Sequence, residues 1–239
     1  MKNLLDKNHW LLSRPICHRG LLDENSIENS LSAYEVAVKK GYPLEIDVYS
    51  SSDGILYSFH DANLYRMTKF NGEIFNQDSA TLETLKLNES EQKIPTLKEV
   101  LSLIDGKVPL LIEIKNQPDK KIVQRLVKEL KGYNGDIAVQ TFNPLYLKKL
   151  KKLAPNILRG LLTTKVEEYL KDEKTINKLI VKHTPLNFLC KPQFLSVSYQ
   201  DLPLKKRKVP IIAWTITDKE TEDKISNLCD NILFENFLA

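Results

Sequence analysis

The chain has 239 residues, with 35 Lys and Arg against 31 Asp and Glu, a formal charge of +4, 42% hydrophobic residues and 28% charged. This is the composition of an ordinary globular protein, long enough for one large α/β domain. The mild positive bias suits an anionic small molecule and does not point to nucleic acid. The densest basic run, Lys205-Lys206-Arg207-Lys208, is short, lacks interleaved aromatics and reads as a solvated turn. The cysteines, Cys17, Cys190 and Cys229, are odd in number and widely scattered, which argues against a disulfide framework or a thiolate metal site. No apolar run approaches transmembrane length and no signal-peptide core follows Lys2, so stable membrane insertion is not expected and a cytoplasmic location is.

Short β-rich runs alternate with longer amphipathic ones along the chain. The spacing predicts strands at 15–18 (PICH), 44–50 (LEIDVYS), 109–115 (PLLIEIK), 136–142 (DIAVQTF), 157–163 (ILRGLLT), 194–199 (FLSVSY), 210–217 (PIIAWTIT) and 231–236 (NILFEN). Between them lie helical patterns such as SLSAYEVAVKKG, with Gly41 as its stop signal, TLKEVLSLI, KKIVQRLVKELKGY, NPLYLKKLKKLAP and DKETEDKISNLCD. Eight strands, most followed by a helix, predict an α/β fold of the (β/α)8 TIM-barrel type, in one domain spanning 1–239. An open doubly wound sheet is the main competitor, but it would present a Gly-rich phosphate loop after its first strand, and none is there. The stretch from Ser52 to Gln77 breaks the rhythm with an Asp53-Gly54 turn, a short alternating strand and no good helix. It reads as a small hairpin-bearing insertion over 52–80.

Active sites of such barrels lie at the C-terminal ends of the strands, which turns strand endings into a short list of candidates. His18 and Arg19 end the first strand. Glu45 and Asp47, two apart on the second, point to the same side, as do Glu113 and Lys115 on the third. Leu44, Ile46 and Val48 must then face the helices, which turns the acids inward. Three inward carboxylates repel one another unless neutralised, and a hard divalent cation such as Mg²⁺ or Ca²⁺, with Mn²⁺ as a third choice, does this. His60, just after the Asp-Gly turn, is a structural residue when taken alone. Paired with His18 it makes a general acid and a general base. His9 and His183 have no comparable neighbours. Arg19 offers a planar fork and Lys115 a point charge for phosphate oxygens, or both pair with the carboxylates to hold the site's shape. Gln140 ends the fourth strand, and Trp214 on the seventh is a core residue or an apolar wall for a small substrate. A divalent metal, two histidines and two cations are the parts that phosphodiester cleavage requires.

The ordered set HRG, ENS, LEIDV, SDG, FHDANLYRMT, IPTLKEVL, LLIEIK and AWT, from about Pro15 through Trp214, resembles the glycerophosphodiester phosphodiesterase family. The resemblance implies a barrel with a small insertion after the second strand, and hydrolysis of glycerophosphodiesters to glycerol 3-phosphate and an alcohol such as choline or ethanolamine. It implies Glu45, Asp47 and Glu113 as metal ligands, His18 and His60 as the acid–base pair, and Arg19 and Lys115 as phosphate contacts. Glu28 and Asn29 stand in the family's Glu-Asn-Thr element, here with Ser30 and with Ile27 where Pro is usual. Two departures stand out. The last strand reads NILFENFLA where a Thr-Asp-x-Pro type segment is common, so Glu235 and Asn236 carry no assigned role, and QTF replaces a commoner Ser-Phe around Gln140. Two rivals follow. One is a lysophospholipase-D-like phosphodiesterase, which should show an apolar rim; Leu64, Tyr65, Met67, Phe70 and Phe75 could supply one, although packing of the insertion onto the barrel is the favoured reading of them. The other is a silent barrel that only binds, against which all five metal and histidine positions are filled.

Overall fold

All eight anticipated strands are present, the one at 44–50 over its full span and the others trimmed by a residue or two at their ends. The computed structural model describes residues 5–165, 190–205 and 209–239; His183 and the Lys206–Lys208 part of the basic run lie outside the described residues. In chain order the elements begin with the one-turn helix α1 (Trp10–Ser13), β1 (Ile16–His18), α2 (Leu31–Lys40) and β2 (Leu44–Ser50). Then come β3 (Leu56–Ser58), α3 (Tyr65–Thr68), α4 (Ser79–Leu82), α5 (Leu97–Ile104) and β4 (Leu110–Ile114). They continue as α6 (Ile122–Glu129), β5 (Ile137–Thr141), α7 (Pro144–Leu153), β6 (Leu158–Thr163), β7 (Phe194–Ser198), β8 (Ile211–Ile216), the helix Lys219–Ile225 and β9 (Asn231–Phe234). Eight parallel strands alternating with helices, plus the antiparallel β3, give the expected (β/α)8 barrel fold.

The chain packs as two compact units, Arg19–Ile137 and Met1–His18 with Ala138–Ala239. In the first, β2 pairs in parallel with β4, placing Asp47 opposite Glu113, and in antiparallel with β3, placing Val48 opposite Ser58. All seven residues of β2 and all five of β4 are buried, acids included. Helix α2 starts at Ser30, whose hydroxyl accepts from the Ala33 amide, and stops at Gly41, which adopts the left-handed conformation (φ 69°) that the sequence signal anticipates. Helix α5 begins with a reciprocal capping box between Thr96 and Glu99.

The insertion contains more helix than expected. The four-residue helices α3 and α4 and a 3₁₀ turn at Ile74–Asn76 follow β3. Their own propensity cannot sustain such short helices; tertiary packing does. Tyr49, Tyr57, Phe59, Leu64, Met67, Ile74, Leu82, Leu87 and Ile94 form one buried cluster, so the packed body runs to Ile94, past the anticipated end at 80. Phe70 and Phe75 pack against the same cluster. Of the five residues considered for an apolar rim, only Tyr65 stays exposed, at 51%.

In the second unit, β5, β6, β7, β8, β9 and β1 follow one another in parallel. His9, set aside in the sequence as background, caps α1 by accepting from the Leu11 amide. The end of α1 is tied to the sheet by Asn231, whose Nδ2 donates to the carbonyls of Leu11 (2.9 Å) and Arg14 (2.7 Å). Both donors of one buried amide are used on the backbone, and losing them strands two carbonyls. Asn231→Ala should therefore lower stability by about 1–3 kcal/mol, measured by urea unfolding. Asn231→Asp, which keeps the size and lacks the donors, should be no better.

Candidate active site

The loop that follows β1 is shaped by three residues in the left-handed region. Arg19 has φ 58°, Gly20 φ 93° and Asn29 φ 55°. Asn29 tolerates this conformation better than most side chains, and Gly20 needs it for a second reason: a Cβ there would lie 2.7 Å from that of Ala33. The Asn29 amide donates to the Arg19 carbonyl (2.9 Å), closing the loop at its base, and the Arg19 amide donates to the Glu45 carbonyl (3.1 Å), fixing it beside β2. The His-Arg-Gly triplet is thus a backbone device as well as a source of side chains.

Glu45 and Asp47 on β2 and Glu113 on β4 bring a carboxylate oxygen each to within 4.8 Å of one another, and all three are buried. Asp47 has the fullest set of partners. Its Oδ2 accepts from Asn29 Nδ2 (2.9 Å) and lies 3.5 Å from Arg19 Nε, and its Oδ1 lies 3.2 Å from Lys115 Nζ. Lys115 also pairs with Glu113 at 2.9 Å. The Asn29 amide can point only one way, because its Oδ1 accepts from the Tyr34 hydroxyl (2.8 Å), which in turn accepts from the Ser58 hydroxyl at 2.6 Å.

Two cations do not balance three buried carboxylates. Burial pushes the Glu45 carboxyl well above its ordinary range, and Asp47 and Glu113 push it further. Burial also raises Glu113, although Lys115 opposes it. Burial works against the Lys115 ammonium too, but Asp47 and Glu113 outweigh it and hold the proton on. A cluster of oxygen donors that cannot all ionise by themselves is the chemistry of a hard divalent cation site, and these three residues fit one.

His60, at the end of the insertion's strand, has Nδ1 2.6 Å from Asp61 Oδ1. An ionised carboxylate can only accept, so Nδ1 carries the hydrogen and Nε2 is left with its lone pair. Burial, followed by the Lys115 ammonium, lowers the His60 pKa to about 4, so the ring is neutral near pH 7. The other oxygen of Asp61 accepts from Arg66 Nε (2.5 Å), and Arg66 Nη2 donates to Glu28. Glu28 also accepts from Arg19 Nη1 at 3.3 Å. Glu28 and Asn29 therefore both stand in the same network as the carboxylates.

In the second unit His18 has the same kind of support. Its Nδ1 is 2.8 Å from Oε2 of Glu235, the residue to which the sequence assigned nothing. The register explains the meeting: Cys17 lies opposite Phe234 on neighbouring parallel strands, so the next residues along each strand come side by side. Gln140 is fully buried in β5, and Trp214 on β8 is buried edge-on against Phe142, ring centroids 6.0 Å apart. Asp61, Arg66, Tyr34 and Glu235 were not singled out from sequence. Only Asp61 carried a local signal, the His-Asp doublet.

A family model described as the glycerophosphoryl diester phosphodiesterase family matches residues 18–231. A glycerophosphodiester phosphodiesterase of Caldanaerobacter subterraneus is 36% identical over 163 residues, 62% of this chain and 65% of that protein. A lysophospholipase D of Mus musculus is 34% identical over 140 residues, 52% of this chain and 44% of its own. The structure of an Oleispira antarctica phosphodiesterase, in complex with the product sn-glycerol-3-phosphate, superposes with a TM-score of 0.76 at 25% identity, covering 94% of this chain and 93% of that one. Fold, ordered motifs and the match over 18–231 agree, and the chain belongs to the glycerophosphoryl diester phosphodiesterase family.

Proposed function

We propose that this protein hydrolyses glycerophosphodiesters, such as glycerophosphocholine or glycerophosphoethanolamine, to sn-glycerol 3-phosphate and an alcohol, residues 1–239 acting as one domain. The observation that carries the reading is the buried Glu45–Asp47–Glu113 cluster with Arg19 and Lys115 against it. Glu45, Asp47 and Glu113 would hold Mg²⁺, Ca²⁺ or Mn²⁺, which when bound neutralises them and polarises a phosphate oxygen. Arg19 and Lys115 bind the remaining phosphate charge. His18 and His60, each anchored through Nδ1 on a carboxylate, present Nε2 for proton transfer. The one whose Nε2 holds a lone pair takes the proton from the attacking hydroxyl, whether of water or of the glycerol moiety, and the other, entering the step with a proton on Nε2 as well as Nδ1, gives that Nε2 proton to the departing alkoxide. Gln140 and Trp214 are proposed to contact the substrate. The Oleispira antarctica complex supports the product, since it was captured with sn-glycerol-3-phosphate.

The mouse relative raises a lysophospholipid substrate as a second reading. An apolar rim would favour it, and the insertion spends Leu64, Met67, Phe70 and Phe75 on its own core instead. That supports the small, soluble substrate.

Release of glycerol 3-phosphate from glycerophosphocholine should stop on chelation and return with one of the three cations. Glu45→Ala should abolish it, and His18→Ala or His60→Ala should each cut kcat by about 10²–10⁴-fold. No turnover with any cation, from folded protein, overturns the proposal; faster cleavage of lysophosphatidylcholine favours the second reading.

The raised carboxyls give a further expectation. In the unfolded chain they titrate near 4.5, in the metal-free fold above it, so the fold holds protons that unfolding releases. Stability of the chelated protein should therefore fall as pH rises above the ordinary carboxyl range. A bound cation should remove that fall, so the gain in Tm on adding it should grow with pH in thermal melts.

A further inference from the structure

The guanidinium of Arg66 joins two carboxylates that belong to different parts of the site. Its Nε donates to Asp61 Oδ2 at 2.5 Å and its Nη2 to Glu28 Oε1. Beyond Asp61 lies Nδ1 of His60, held by the other carboxylate oxygen at 2.6 Å. Beyond Glu28 lies Arg19, whose Nη1 donates to the same Oε1 (3.3 Å) and whose Nε faces Asp47 (3.5 Å). An unbroken line of hydrogen bonds and ion pairs thus runs His60–Asp61–Arg66–Glu28–Arg19–Asp47.

Arg66 has a firm base for this. It sits in the one-turn helix α3 between Leu64 and Met67, both sunk in the insertion's core, and the Thr68 hydroxyl donates to the Leu64 carbonyl (2.9 Å). The backbone of Arg66 is thereby fixed while its side chain, 48% exposed, folds back over the loop of Glu28. A guanidinium can serve both carboxylates because its N–H groups diverge in one plane; an ammonium is a single point of charge.

We propose that Arg66 is a positioning residue for both arms of the site. Through Asp61 it sets the imidazole of His60, and through Glu28 it sets the guanidinium of Arg19. Asp61, adjacent to His60 in the chain, can rotate about its own χ angles. With Oδ2 pinned by Arg66, Oδ1 stays aimed at Nδ1, and Nε2 keeps its direction and its lone pair. The proposal rests on the reading of His60 as an acid or base and of Arg19 as a phosphate contact, and its test separates the two.

Arg66→Ala and Arg66→Lys are compared with wild type and His60→Ala on glycerophosphocholine, with the cation saturating. Misplacing an acid–base group by about 1 Å costs up to about 10²-fold, so Arg66→Ala should lower kcat by about 10–100-fold and raise KM as Arg19 loosens. Lysine, able to satisfy one carboxylate well, should recover only part of one effect. Asp61→Asn combined with Arg66→Ala should lower kcat little more than Asp61→Asn alone, because both act through one histidine. The imidazole ¹⁵N shifts of His60 should move from the Nδ1–H tautomer in wild type toward a mixture in Arg66→Ala, a change that a merely structural loss would not produce. If His60→Ala keeps full activity, the parent reading fails. If His60→Ala is dead while Arg66→Ala keeps wild-type kcat, KM and tautomer, the positioning role fails. A drop in Tm with kcat and KM unchanged in the folded fraction also overturns it.

Discussion

Asp47 is almost wholly buried in the middle of a β-strand, and a carboxylate in that position is tolerated only if its charge is met from several directions. The neighbouring structure supplies those directions. Lys115 reaches it along β4, Arg19 from the loop after β1, and the Asn29 amide from the end of that loop. The last two arrive because Arg19 and Asn29 accept left-handed backbone conformations and because Tyr34 and Ser58 orient the amide. Counting outward, Glu28, Glu45, Asp47, Asp61 and Glu113 face Arg19, Arg66 and Lys115. The deficit of two positive charges is the charge of one divalent cation, and burial with mutual repulsion raises the Glu45 and Glu113 carboxyls where none is bound.

The insertion shows how a marginal segment becomes a rigid platform. None of its helices exceeds four residues, yet Leu64, Ile74 and Leu82 are completely buried in a core of their own. The antiparallel pairing of β3 on β2 and the Phe59 amide, which donates to the Asp47 carbonyl (3.2 Å), fasten that core to the strand that carries Glu45 and Asp47. His60 therefore follows a residue hydrogen-bonded to the backbone of Asp47 itself. The geometry between His60 and the carboxylates is transmitted through backbone, which is stiffer than a chain of side-chain contacts.

Much of this was legible in the residues. Eight strands were readable because each is an apolar run bounded by turn signals, and α2 because Ser30 and Gly41 mark its ends. The acidic trio was readable because acids two apart in an otherwise apolar strand must share a face, and the register of β2 against β4 does set Asp47 opposite Glu113. The Arg66 link was not, since it depends on where α3 lands over the Glu28 loop, a tertiary fact with no local pattern. Glu235 looked like a departure from a motif because its partner, His18, is 217 residues away and only strand register connects them. Leu87 and Ile94 were silent for a related reason: they lie in irregular chain without periodicity and declare themselves as core only when Tyr57 and Met67 are beside them.

The closure of the loop from Arg19 to Asn29 has a consequence for how such a protein can change. Its two ends are pinned to each other by the Asn29–Arg19 backbone bond and to β2 by the Arg19 amide, whereas Asp23, Glu24 and Asn25 at its tip are exposed and held chiefly by turns of their own. Apart from the bond that Gln92 Nε2 makes to the Asn25 carbonyl, the tip is free to vary in length and sequence while the closed base keeps Arg19 and Asn29 beside β2.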